Sequence, residues 1–341
     1  MKLELNMAVC GQGALTPNGT GVSSLLSREP WKTTQTASAG NPGSSHPTFR
    51  VDLGSDPLKR WQMEPRLRRA SPIALYMAEA ASQAMAGLGD APRDRVGIVA
   101  ALFTGSLAFS QRFFQDVITD GQKFASPAIF PETVFNSPLS HLASILNIPG
   151  ACYAIVGDES AWVTAILAAA AWLRSGSMDH VLVVGAEEMA PIALNAYAAS
   201  GWFHPGRSFI PSEGAGALLL RSAKNGDRLI IRTAADGFTY RSRREAASAA
   251  TACMEMSPVK LPVFHSAQHN WMASLETKAT ASRKSLPDEQ LPYCGEAFTA
   301  SAAWHTLRAI SLLGDAHPGI LQPVWGQTQQ ISSLELSIRR D

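Results

Sequence analysis

The stretch Ile155-Val156-Gly157-Asp158-Glu159-Ser160-Ala161-Trp162 runs an apolar strand directly into a long, nearly uncharged helix, with two carboxylates at the bend. A helix over 161–174 with almost no polar side chain on any face must be buried all round, which puts it inside a layered α/β fold. A sharp strand-to-helix turn also lifts its tip residue clear of the sheet, beside the free N–H groups of the first helical turn. That position favours an anion, and many enzymes place a nucleophile there. Here the tip is Glu159, flanked by Asp158 and Ser160. The scaffold is catalytic in form, but a carboxylate is a weak nucleophile.

The rest of the chain is compatible with such a core. Of its 341 residues 46% are hydrophobic and 17% charged, the balance of a globular protein with a large interior and length for about two domain-sized units. Twenty-nine Lys and Arg against 28 Asp and Glu leave a net charge of +1, which argues against a nucleic-acid surface or an acidic tail. The apolar run at 161–173 is too short to span a bilayer, and the first residues lack the pattern of a secretory leader. Cys10, Cys152, Cys253 and Cys294 are far apart and form no C-x-x-C pair, so neither a zinc site nor a disulfide framework is expected. A reduced, cytoplasmic protein without a bound metal is the expectation.

Apolar runs at 7–11, 95–101, 151–156, 180–185, 215–221 and 228–233 read as strands alternating with helices, the signature of βαβ units. Ser71-Pro72 opens a helix over 72–87, with Ser as N-cap and Pro at the first helical position. A helix is expected over 241–256, stopped by Ser257-Pro258, and another over 301–313, with further strands at 261–264 and 333–338. Residues 33–55, rich in Ser, Thr, Gly and Pro, read as a surface loop, and 277–290 as a mobile polar loop. A strand-elbow-helix occurs at 151–173 and, more faintly, at 293–313.

Several motifs resemble the β-ketoacyl-acyl-carrier-protein synthases over nearly the whole chain. Val9-Cys10-Gly11-Gln12-Gly13-Ala14-Leu15-Thr16-Pro17-Asn18-Gly19 is similar to that family's opening turn. Phe209-Ile210-Pro211-Ser212-Glu213-Gly214-Ala215-Gly216 resembles its FxxGEGAG segment, with Ser212 in place of one glycine. The resemblance implies the α/β thiolase fold, five layers α-β-α-β-α built from two similar βαβαβ halves. Here these would be 1–235, with the elbow at 157–162, and a shortened 236–341. It also implies dimerisation through the strand before the elbow, making Ala151, Cys152, Tyr153, Ala154 and Ile155 interface candidates.

Active members use a cysteine and two histidines, or a cysteine, a histidine and an asparagine. The ungapped match over 150–176 puts Glu159 at the cysteine position. His265, in Pro262-Val263-Phe264-His265, matches the first histidine, while Gly295-Glu296 puts Glu296 where the second belongs, with His265 as its candidate partner. The C-terminal glycine-rich gate is replaced by Val324-Trp325-Gly326-Gln327-Thr328-Gln329. Trp162 and Trp325 are candidates for filling the acyl tunnel or its gate. The expectation is a chain without confident catalytic residues, resembling the chain-length-factor (KSβ) subunit of type II polyketide or fatty-acid-like synthases. Such a subunit binds no cofactor. It pairs with an active Cys-His-His ketosynthase and works on chains carried by the phosphopantetheine of an acyl carrier protein. The alternatives are a malonyl-carrier-protein decarboxylase using His265 and Glu159, and a degenerate homodimeric scaffold. Ser160 with His265 as base would make a hydrolase-like set only if the match were shifted by one residue.

Overall fold

A computed structural model of the chain describes residues 1–204, 209–257, 260–267, 270–286, 291–328 and 330–339. Strand β1 (Lys2–Thr16) and the two-residue β2 (Gly19–Thr20) lead to the short helix α1 (Val22–Leu26) and the hairpin β3 (Thr34–Ser38) and β4 (Asn41–Thr48). Helices α2 (Asp56–Met63) and α3 (Pro72–Met85) follow, then β5 (Val96–Leu102), α4 (Leu107–Asp120) and α5 (Ser137–Ile145). The elbow joins β6 (Cys152–Val156) to α6 (Ser160–Arg174), after which come β7 (His180–Glu187), α7 (Pro191–Ala199) and β8 (Gly214–Ser222). The remainder forms β9 (Leu229–Thr239), α8 (Arg243–Glu255), α9 (Asn270–Ala279), α10 (Thr299–Ser311), β10 (Gly319–Trp325) and β11 (Gln330–Ile338).

The strands lie in the order β10-β11-β9-β1-β8-β7-β5-β6, with β2 against β1. In the N-terminal half β5, β6 and β7 run parallel, and β8 is antiparallel to β7 and to β1. The C-terminal half repeats this arrangement. There β11 lies antiparallel between β9 and β10, and Val263 continues the order through parallel bridges to Leu321 of β10 and to Ser285. The expected strand at 261–264 is therefore reduced to a single bridging residue, a shortening concentrated in the second half.

The halves join through β1, whose first residues pair with β9 and whose later residues pair with β8. Register shifts between Glu4 and Met7 and between Val9 and Gly11, with Asn6 at φ 48°, bend this strand, so one sheet curls round its contents. Those contents are α6 and α10. Helix α6 touches β5 and β7 on one side and β9 and β11 on the other; α10 touches β7, β8, β10 and β11. With α3 outside β1, β7 and β8, and α8 outside β9 and β11, the layers are α-β-α-β-α, the thiolase fold. The boundary expected at 235 falls within β9.

Small residues set these layers at close distance. A Cβ on Gly11 or Gly13 would lie 1.9 Å from the Ala84 or Ala80 carbonyl oxygen, so α3 rests directly on the β1 backbone. Within the middle layer the Trp162 indole donates to Thr306 Oγ1 at 2.9 Å, and that of Trp304 to the Ala215 carbonyl at 3.0 Å. These two fully buried indoles thus have their polar ends satisfied.

Two loops read from composition are ordered. Residues 33–55 contain the β3–β4 hairpin, where Thr36 Oγ1 and Thr48 Oγ1 lie 2.7 Å apart across the strands. The polar run from 277 begins inside α9, while 287–290, like Pro258 of the expected helix stop, lie outside the described residues. Among the described residues no helix is long and apolar enough to cross a membrane.

Candidate functional site

The middle-layer helices start close together, each with a glutamate at its head. Glu159 is the residue before α6, 5% exposed, and Glu296 lies three residues before α10, 3% exposed. Glu296 is held by its backbone, which exchanges hydrogen bonds with Ile210 O (2.8 Å) and Ser212 N (2.9 Å). Its Oε1 accepts from Phe298 N at 2.9 Å, a contact made by the turn in which Gly295 has φ 71° and Phe298 φ 45°.

The two carboxyls hydrogen-bond each other, and both titrate above the usual range. Burial raises Glu159 far above it, with the charges of Glu296 and Asp158 adding to the effect. Burial likewise raises Glu296 to about 7, against the lowering effect of hydrogen bonds from Phe298 N, Ser301, Glu159 and Gln327. A helix N-terminus stabilises an anion by about 0.3–1 kcal/mol, whereas full burial shifts a carboxyl by up to about 3–5 units, at about 1.4 kcal/mol each. Burial wins, and both carboxyls hold their protons to higher pH than a free glutamate does.

The former gate segment closes over this dyad. Gln327 N donates to Glu159 Oε2 at 3.0 Å, and Thr328 donates to Asp158 Oδ2 from its backbone N–H at 2.6 Å and from its hydroxyl. Tyr240 holds the Gly326 carbonyl at 3.1 Å, and Ser160 Oγ donates to Gln330 O at 3.2 Å, which commits the neighbouring hydroxyl to structure. Only glycine fits at 326, since a Cβ there would meet the Asp158 carboxylate at 2.5 Å. The space beneath, lined by Glu159, Glu296, Ser301, His305, Gln322 and Trp325 among others, is about 10 Å³ for the centres of water-sized molecules. It has no room for an acyl chain.

His265 is not part of this constellation. Its Nε2 lies 2.9 Å from Ser285 Oγ and its Nδ1 3.4 Å from Glu276 Oε2, and it does not line the cavity. Glu296 is hydrogen-bonded by Glu159, Gln327, Ser301 and Phe298 N, as the 295–298 turn aims it at the elbow, whereas His265 contacts Ser285 and Glu276. The imidazole that does reach the cavity is His305 on α10, buried and pushed down to about 3 by desolvation and by the Arg308 charge, hence neutral. Sequence reasoning missed it. The available signals were the i, i+4 spacing of Ser301 and His305 on one helix face and a glutamine, Gln322, within an otherwise apolar strand. Trp325 lines the cavity, while Trp162 is packed at the middle of the molecule against α10.

Among the described residues β6 pairs with β5 alone, so the strand before the elbow is a free edge of the sheet. Cys152, Tyr153 (57%) and Val156 (53%) are exposed, Ala151, Ala154 and Ile155 half-buried. Helix α4 buries none of its residues and exposes Phe114 (61%) and Ile118 (82%). An open strand edge beside exposed aromatic and aliphatic groups is the character of an interface.

Fold, elbow and paired helix heads define a thiolase-fold protein of the condensing-enzyme type. The sequence profile of the β-ketoacyl synthase N-terminal domain matches residues 12–225, and the chain belongs to that family. No curated protein sequence matches it significantly. Among solved structures it is similar to the ishigamide ketosynthase/chain length factor, at 18% identity and TM-score 0.82, over 98% of this chain and 100% of that one. It is also similar to a chain of AntDE:AntF, a type II polyketide-synthase acyl-carrier protein in complex with its ketosynthase, at 16% identity and TM-score 0.79, over 99% of this chain and 100% of that one. A chain of the ketosynthase ApeO in complex with its chain length factor ApeC, from Xenorhabdus doucetiae, matches at 13% identity and TM-score 0.74, over 98% of both.

Proposed function

We propose that this chain is a non-condensing, chain-length-factor-like subunit that pairs with an active ketosynthase and acts on chains attached to the phosphopantetheine of an acyl carrier protein. The observation that carries this reading is the sealed elbow. Glu159 stands in the nucleophile's place, buried against Glu296 and kept protonated by that burial, and the Gly326–Thr328 backbone closes over the elbow, while the β6 edge beside it stays open. A carboxyl in that state cannot take over an acyl thioester, and the mixed anhydride it would form is a high-energy species. The printed descriptions of the similar structures, ketosynthases with chain length factors or carrier protein, support the same assignment.

The partner supplies the cysteine and histidines; this chain supplies the opposing half of the dimer. The halves of this chain, 1–235 and 236–341, take the parts of the two ketosynthase halves, and the work is placed in the cytoplasm. Co-expression with an active ketosynthase of the same source is expected to give a 1:1 heterodimer on size exclusion with multi-angle scattering. A product that is only monomeric or homodimeric overturns the assignment.

One observation favours a second reading. Glu159, kept neutral by burial, is a hydrogen-bond donor, as a malonyl-carrier-protein decarboxylase would require. That reading also needs His265, which is tied to Ser285 and Glu276. The purified chain incubated with malonyl-carrier protein is expected to release no acetyl-carrier protein. Turnover that disappears in His265→Ala would replace the first reading with the second.

A further inference from the structure

We infer that the cavity between the elbow and α10 is a built binding site for one neutral, water-sized hydrogen-bonding molecule, which in the cell is water. Three side chains lining it bury polar atoms that no protein group satisfies: Glu159 Oε1, both ends of the Gln322 carboxamide, and Trp325 Nε1. Their residues are 5%, 0% and 4% exposed and come from two separate parts of the chain, the elbow and strand β10. Unsatisfied polar atoms are rare in native interiors; three residues that converge on one space mark it as a place where something binds.

Size, charge and energy select the occupant. Space of about 10 Å³ for water-sized centres is close to the minimum that holds one water and is too small for a thioester or an acetyl group. Two carboxyls on the wall disfavour an anion, and the indole N–H and the carboxamide NH2 disfavour a cation. A neutral molecule that both donates and accepts suits this wall: it accepts from Trp325 Nε1–H and Gln322 Nε2–H and exchanges a hydrogen bond with the Glu159 carboxyl. Each polar group left unmade costs about 1–3 kcal/mol, against at most about 2 kcal/mol to immobilise one water. Occupancy is therefore favoured by a wide margin. The occupant also completes the link from α6 to β10 across the dyad, so the sealed elbow is wet at its centre.

The site goes beyond the proposed function and is independent of it, since the cavity is enclosed by this chain alone. A high-resolution crystal structure of the protein, alone or with its partner, is expected to show one isolated density peak within hydrogen-bonding distance of both Trp325 Nε1 and the Glu159 carboxyl. In solution, the Trp325 indole proton, identified by its loss in Trp325→Phe, is expected to show a cross-relaxation peak to a long-lived water. Gln322→Leu should lower the occupancy of that peak. A cavity without density, or one in which Gln322 has turned to bond Trp325 or Glu159 directly, overturns the inference, as does an indole proton without a water cross-peak. The wild-type measurements decide the matter even if a variant does not fold.

Discussion

Glu159 and Glu296 are read correctly from the sequence as residues at two helix heads, yet their chemistry depends on facing each other in a buried site. Their buried neighbours behave alike: burial pushes Glu187 to about 8, despite hydrogen bonds from Thr104 and from the Phe103 and Thr104 N–H groups. In the unfolded chain these groups release their protons near the ordinary value of 4.5, while the folded chain still holds them. Stability from these carboxyls is therefore full below 4.5 and is lost as pH rises through about 7 and 8. His305 acts in the opposite sense between about 3 and 6.5, where the unfolded state binds the extra proton, so the carboxyl effect is clearest above 6.5. The melting temperature is expected to fall between pH 6.5 and pH 8, and Glu296→Gln and Glu187→Gln should each flatten that decline in a calorimetric scan. Equal slopes in wild type and variants would refute this account. Gly326→Ala drives a Cβ against the Asp158 carboxylate at 2.5 Å, and a loss of about 1–3 kcal/mol in urea unfolding is expected.

At the scale of elements, α6 was legible because an all-apolar helix has one place to go, and its span in the structure differs from the sequence reading by a single residue. The terminal strand was legible for similar reasons, though β11 begins at Gln330, three residues earlier than expected. The β3–β4 hairpin was not legible. Ser, Thr, Gly and Pro are turn formers, and only pairing across the hairpin turns that composition into strands. Strand β10 was missed too, since Gln322 and Pro323 interrupt its apolar run and its burial comes from α10 and β11. The bond from Trp162 Nε1 to Thr306 Oγ1 ties α6 to α10 at 2.9 Å. Trp162→Phe keeps most of the ring but leaves the buried threonine with one partner fewer, so a destabilisation of about 1–2 kcal/mol is expected by chemical denaturation. An unchanged midpoint would mean that the indole N–H contributes nothing there.

For the whole molecule, the proposed pairing with a ketosynthase assigns the second subunit to the free β6 edge, where Tyr153 and Val156 are exposed. Tyr153 and Val156 are more than half exposed in the single chain, so Tyr153→Asp with Val156→Asp should leave its circular dichroism and melting unchanged. The same pair is expected to abolish the 1:1 complex with the ketosynthase, because like charges on a pairing edge oppose strand addition. Retention of the complex would place the interface elsewhere.

The sequence by itself determined the family, the buried central helix, the alternation of strands with helices, and a carboxylate at the elbow. These follow from local periodicity and from motifs a few residues long. Only the tertiary structure decided which groups meet. It turned His265 away to Ser285 and Glu276, brought His305 and Gln322 to the elbow, and closed Gly326–Thr328 over the dyad. The contacts that close the elbow join residues 168 and 170 positions apart, and side-chain direction there is fixed by how the layers pack, which no local pattern encodes. So is the protonation of Glu159: its identity is written in the chain, but its neutrality comes from the burial that the curled sheet imposes.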